Sequence, residues 1–190
     1  MKSPVSILGI CGSLRKGSFN RMALRAAQSL TPPESKLEIF DLHEIPMFNQ
    51  DDELSPPAAV AEFKKRIRAA DAILFSTPEY NYSIPGVLKN AIDWASRPYG
   101  DNSWNGKPAA VMSAAPGLFG GIRAHYVLLQ SFVFLNMNAM TQPEFAMGKA
   151  NEKFDTQGNL TDETSRKLMT QMMANLVDWT RRLRGSLAER

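Results

Sequence analysis

Residues 9–20, GICGSLRKGSFN, place two glycines five positions apart among hydroxyls and cations, directly after an apolar run from Val5 to Ile10. The main-chain amides of a tight turn that opens a helix form a positively polarised nest suited to a phosphate group. Ser13, Ser18 and Asn20 offer neutral hydrogen bonds there, and Arg15 a charge-assisted one. The spacing from Gly12 to Gly17 matches the first half of GxxxxGK[ST], but Ser18 stands where that motif needs lysine, and GxGxxG is missing. Nothing at the required positions serves triphosphate chemistry. A plain turn with Ser18 as helix N-cap fits the same residues.

A second stretch, TPEYNYSIPG, gathers Pro78, Glu79, Tyr80, Asn81 and Tyr82. Tyrosine faces and amide edges suit a flat heterocycle with a polar rim. Glu79 has the chemistry of a general base, but no histidine, cysteine or metal cluster accompanies it, so a structural or ligand-orienting role is the better reading. The third stretch, SAAPGLFGG from Ser113 to Gly121, consists mainly of small residues. No catalytic side chain and no metal site is assigned. His43 and His125 stand isolated, and Cys11 reads as a small buried strand residue.

The elements that must carry these stretches alternate. Val5 to Ile10, Lys36 to Leu42, Ala72 to Phe75, Pro108 to Met112 and Met137 to Gln142 read as strands. Between them, apolar residues recur at helical spacing from Phe19 to Leu30, around Val60, Phe63 and Ile67, after Pro85, and from Ile122 to Leu135. Lys64, Lys65, Arg66 and Arg68 mark the wet face of the second helix. A last helix begins at Thr161 and carries Leu168, Met172, Leu176 and Leu183 inward, after an exposed loop from Lys149 to Leu160. Alternation with short joins predicts a doubly wound α/β sheet of five parallel strands, with ligands bound beyond the strands' carboxyl ends. The three stretches leave such ends, so they are expected to converge in one crevice.

The 190 residues, 44% of them hydrophobic, show no composition break and predict one domain over 1–190. A net charge of +3 favours small anionic partners, and the cluster Arg181, Arg182 and Arg184 reads as a solvated helix end, so no nucleic-acid partner is expected. Lys2 and the apolar run after it lack a cleavage pattern, and no stretch is long enough to span a bilayer, so no membrane partner is expected. One cysteine excludes a disulfide framework and fits a reducing, cytoplasmic setting.

GSLRKGSFN, PEYNYSIPGVLKNAIDW and SAAPGLFGG, in that order, resemble the NADPH-dependent FMN reductase family over nearly the whole chain, and within it the bacterial quinone and chromate reductases. The resemblance implies a flavodoxin-like three-layer sandwich, strand order 2-1-3-4-5, with FMN at the switch point. It places Ser13, Arg15, Ser18, Phe19 and Asn20 around the phosphate, Pro78, Glu79, Tyr80 and Asn81 along the ring and ribityl chain, and Ser113 and Gly117 at the third loop. Ala114, Ala115 and Pro116 depart from the more polar family sequence. NADPH or NADH would reduce the flavin, which would pass electrons to quinones, chromate, azo compounds or free flavin. The resemblance further implies a homodimer or homotetramer, with Ile122 to Leu135, Trp94, Tyr99 and Trp104 partly interfacial and Arg123, Glu144 and Tyr82 in subunit contacts. Two other readings are a flavodoxin-like electron carrier, disfavoured by a pI of about 9.1, and a nucleotide-binding scaffold without redox chemistry.

Overall fold

In a computed structural model that describes residues 4–188, which leaves Lys2 outside the described residues, strands and helices alternate as the apolar periods predict. They are β1 (Val5–Cys11), α1 (Phe19–Ser29), β2 (Ser35–Phe40), α2 (Ala58–Ala69), β3 (Ala72–Thr77), α3 (Gly86–Ala95), β4 (Pro108–Ala114), α4 (Ile122–Leu135), β5 (Asn138–Ala139), β6 (Phe145–Met147) and α5 (Glu163–Ala188). All pairings are parallel, in the order β2-β1-β3-β4-β5, with β6 also on β4. This is the flavodoxin-like three-layer arrangement. Every residue of β3 and β4 is buried, because helices cover both faces of a parallel sheet. On one face Leu74, Ala110 and Met112 meet α1 and α5; on the other Ile73, Phe75 and Val111 meet α2, α3 and α4.

The fifth strand position departs from expectation. Rather than one strand from Met137 to Gln142, β5 pairs with Pro108 and Ala109, and β6 resumes opposite Met112 to Ala114. Pro143 has no N–H for the ladder, and the chain leaves the sheet between the two pieces. The break positions residues 145–150 beneath the third loop.

Four other side-chain expectations change in three dimensions. Lys64 is 5% exposed rather than solvated, its ammonium donating to Asp101 at 2.7 Å and to the Arg97 carbonyl, which pins the loop after α3 to α2. Trp94 and Trp104 are core residues rather than interface ones, their indole N–H groups donating to the carbonyls of Pro46 and Ile92. In α5 the buried face runs through Met169, Met172, Met173, Leu176 and Val177, leaving Leu168 on its flank. The helix starts at Glu163, two residues late, because the Asp162 carboxylate accepts the Ser165 N–H at 2.8 Å and caps it. Residues 149–160 are not simply an exposed loop: Ala150 and Leu160 are buried, and Phe154 stacks on Phe19 at 6.1 Å.

Candidate functional site

β1 sends the chain to β2 on one side and β3 on the other, which makes its carboxyl end a topological switch point. The loops after β1, β3 and β4 open there on one cleft of about 270 Å³. Ser13, Arg15, Ser18, Phe19, Asn20, Pro78, Glu79 and Tyr80 line it, as do Ala114, Ala115 and Pro116. The expected convergence of the three stretches is therefore present.

In the first loop, the Gly12 N–H donates to the Ser76 carbonyl at 2.8 Å. A Cβ at Gly12 would lie 3.2 to 3.3 Å from side-chain atoms of Leu88, Pro78 and Thr77, so any larger residue would require these neighbours to give by a few tenths of an ångström. Ser18 is the N-cap of α1, its hydroxyl accepting the Arg21 N–H, and the Ser13 hydroxyl accepts the Arg15 N–H, both at 3.3 Å. The two nearby arginines differ. Arg21 pairs with Asp41 at 2.9 Å; partial burial of Asp41 opposes its ionisation, but hydrogen bonds from Arg21 and His43 prevail and hold that carboxyl well below the usual range. Arg15 is exposed, its guanidinium 5.5 Å from the Phe19 ring centre, and no carboxylate among the described residues pairs with it.

Asn20 is 2% exposed and spends most of its amide on the protein. Its Nδ2 donates to the Ala114 carbonyl at 2.8 Å, and its Oδ1 accepts the Ala114 N–H and the Ser76 hydroxyl, each at 3.0 Å. It ties the start of α1 to the ends of β3 and β4, a role its position in a phosphate-like loop does not announce.

Tyr80 and Ser83 exchange both main-chain hydrogen bonds at 3.0 Å, closing a two-residue hairpin with Asn81 at φ 52° and Tyr82 at φ 64°. Two positive φ values give a turn of type I′. The turn carries Asn81 to the exposed surface, outside the lining. Glu79 lines the cleft while both its oxygens are engaged by the protein: Oε1 accepts the Arg123 Nε–H at 2.6 Å and Oε2 the Arg123 main-chain N–H at 3.0 Å. It thereby caps α4, whose Gly121 N-cap has no side chain to do so.

The pleat of β4 turns Ser113 toward α4, where it is fully buried and its hydroxyl has no partner among the described residues; a Cβ at Gly121 would come within 3.2 Å of its Cβ. Gly117 lies on the exposed loop just past Pro116, its carbonyl accepting the Lys149 N–H at 3.1 Å. Two further bonds, Ala115 N–H to Met147 O and Ala150 N–H to Ala115 O, fasten residues 147–150 under this loop. Sequence reasoning missed Gly148 and Gly120, at which a Cβ would strike main-chain atoms of the opposing segment at 2.1 Å and 2.7 Å. The glycine pair 120–121 is the one sequence signal for this contact. Arg123 and Glu144, expected between subunits, have partners within the chain: Glu79 for the first and the Tyr126 hydroxyl for the second.

His125, on the first turn of α4, is 3% exposed, and its Nδ1 has no hydrogen-bond partner among the described residues. Burial lowers its pKa against a weaker opposing pull from Glu144. The unfolded chain therefore binds this proton more readily, so the residue's contribution is complete above about pH 6.5 and is lost as pH falls toward the folded value. Denaturant unfolding from about pH 7 to about pH 5 is expected to show falling stability, and His125→Leu to flatten that slope. Parallel slopes in the two proteins would exclude His125 as the source.

The comparisons with known proteins agree with this geometry. The family model for NADPH-dependent FMN reductases matches residues 5–152. The chain is 50% identical to an NAD(P)H-dependent FMN reductase of Pseudomonas aeruginosa, over 97% of this chain and 100% of that one. It is 43% identical to a quinone reductase of Pseudomonas putida, over 95% and 97%. Among solved structures it superposes on the flavoenzyme NAD(P)H:(acceptor) oxidoreductase of Paracoccus denitrificans with a TM-score of 0.87 and 36% identity, covering 94% of this chain and 98% of that one. A cleft at the switch point of a 2-1-3-4-5 sheet, matched over this length and at these identities, makes the chain a member of the NADPH-dependent FMN reductase family.

Proposed function

We propose that this chain is an FMN-dependent NAD(P)H oxidoreductase with quinones as acceptors, working as one domain whose FMN sits in the cleft at the ends of β1, β3 and β4. The observation that carries the reading is the contrast between the arginines of the first loop. Arg21 is neutralised by Asp41, whereas Arg15 stands free beside a helix N-terminus and two hydroxyls. A phosphomonoester supplies the anion this arrangement lacks, with no need of metal or lysine. Pro78 to Tyr80 and Ala114 to Pro116 line the same cleft, with largely apolar surface at Pro78, Ala114, Ala115 and Pro116 and a tyrosine ring at Tyr80, which supports the fit of the rest of FMN.

Bound FMN supplies the two-electron chemistry between nicotinamide and acceptor. The balance is NAD(P)H, one proton and a quinone giving NAD(P)⁺ and a hydroquinone. With Glu79 held by α4 and Arg123, the protein's work is binding and orientation: Arg15 and the loop hydroxyls would hold the phosphate, and Pro78 to Tyr80 with Ala114 to Pro116 would hold the ring, which donor and acceptor would reach in turn. Shared access predicts ping-pong kinetics. Relatives named quinone reductases support the acceptor class. Chromate, azo compounds and free flavin are further candidate acceptors, and the cytoplasm the proposed location. An exposed apolar stripe on α4, Tyr126, Val133 and Phe134, supports a homodimer or homotetramer.

Arg15→Ala tests the phosphate seat. Loss of one charge-assisted bond worth about 1.5–3 kcal/mol raises the FMN dissociation constant about 10- to 150-fold, read by quenching of flavin fluorescence, while the melting temperature of the apoprotein stays put. Unchanged affinity would refute the seat. Absence of NADPH oxidation by the FMN-loaded protein with any quinone would refute the activity.

A further inference from the structure

Arg15 combines a pinned main chain with a loose side chain. Its N–H donates to the Ser13 hydroxyl at 3.3 Å and its carbonyl accepts the Ser18 N–H at 3.2 Å. The guanidinium, by contrast, is exposed, has no carboxylate partner among the described residues, and lies 5.5 Å from the Phe19 ring centre. An arginine that moves freely in water gives up rotamer freedom when it grips an anion, and that loss subtracts from affinity. A ring beside the guanidinium removes part of the cost in advance.

The ring needs support of its own, because Phe19 is the first residue of α1 and stands half-buried in the cleft lining. Phe154 supplies it: the two rings lie 6.1 Å apart and 20° from parallel. Phe154 belongs to a hairpin, residues 153–161, that takes no part in the cleft lining. Phe154 bridges to the buried Leu160, the Asp155 carboxylate accepts the N–H groups of Gln157 and Asn159 at 2.9 and 2.8 Å, and the Thr161 N–H donates to the Lys153 carbonyl at 2.9 Å. At its tip a Cβ on Gly158 would come within 3.3 Å of Met22, about one helical turn past Phe19. The hairpin therefore meets α1 at two points and holds the Phe154 ring against the helix start.

We propose that Phe154 is a positioning residue for the FMN phosphate: through Phe19 it keeps Arg15 placed for the anion, without touching the cofactor itself. The proposal rests on the FMN reading above. Riboflavin, which is FMN without its phosphate, separates this role from ordinary packing. The apoprotein is titrated with each flavin by fluorescence quenching, as wild type, Phe154→Leu, Phe154→Tyr, Arg15→Ala and the double variant of Arg15→Ala with Phe154→Leu.

The preference for FMN over riboflavin falls about two- to tenfold in Phe154→Leu, the worth of one aromatic pair, and is kept in Phe154→Tyr, while riboflavin affinity stays within about twofold of wild type. In the Arg15→Ala background, Phe154→Leu lowers the preference no further. An unchanged preference in Phe154→Leu overturns the proposal, and so does an equal loss for both flavins, which is what loosened packing alone produces. A full further loss in the Arg15→Ala background overturns it too, because the ring would then act by a route other than Arg15. Equal affinity of the wild type for the two flavins strikes the phosphate seat of the FMN reading itself, and the brace falls with it.

Discussion

Replacing Asn20 by alanine is expected to remove about 3 kcal/mol of folding stability and, in the fraction that stays folded, to weaken FMN binding. The residue is 2% exposed, and its amide closes three hydrogen bonds to groups that are themselves buried, the Ala114 N–H and carbonyl and the Ser76 hydroxyl. Each buried polar group stranded by truncation costs about 1–3 kcal/mol, and the adjoining cleft lets water recover part of that. Asn20→Asp tests the same bolt differently, because it keeps the acceptor, loses the donor to Ala114 and buries a charge; it is expected to be no better than alanine. Urea unfolding of the apoprotein, compared at equal m-value, measures both. A midpoint for Asn20→Ala within error of wild type would show that the ends of β3 and β4 do not depend on this contact. The contrast with Arg15→Ala is informative: one neighbour in the same loop is expected to act on stability first, the other on cofactor affinity alone.

Gly148→Ala is expected to destabilise by a similar amount, about 3 kcal/mol, for a different reason. The added methyl would lie 2.1 Å from the Leu118 carbonyl oxygen and 2.9 Å from its carbon, both main-chain atoms that no rotamer change can move aside. Relief requires residues 115–118 and 147–150 to separate, which breaks the bonds joining Ala115 to Met147, Lys149 to Gly117 and Ala150 to Ala115. For a chain of this length the cost corresponds to roughly 6–12 °C in melting temperature. Gly117→Ala is the control, since nothing lies within 4 Å of its added methyl, and it is expected to melt within about 0.5 kcal/mol of wild type. Equal melting of the two variants would mean that the loop and the segment under it give way freely.

These two positions mark where legibility in the sequence ends. Asn20 stands among the hydroxyls of a phosphate-like loop, so its residue type and place suggested a ligand; its partners come from residues 56 and 94 positions away, which no local pattern encodes. Gly148 belongs to no motif at all, and its need for a hydrogen in place of a side chain arises only when β6 seats it against Leu118. Lys64 failed for the same reason. Of the four cations in this stretch it is the buried one; Arg68 reaches the same Asp101 in the loop that follows α3, but from the surface.

The order of elements was legible because the two apolar periods, helical and strand-like, are local properties that survive without tertiary context. The composition of the cleft was legible for a related reason: its hydroxyls, its cation and its aromatic rings come from residue types concentrated in three short loops, and parallel topology brings strand ends together whatever the rest of the chain does. What the sequence by itself determined was therefore the alternation, the parallel sheet and the meeting of three loops at its carboxyl edge. Only the tertiary structure decided which of the loop residues line the cleft and which are spent on the protein, that Arg21 pairs with Asp41 while Arg15 has no carboxylate partner among the described residues, and that Arg123 lies over the Tyr82 ring, because each depends on packing beyond the local sequence.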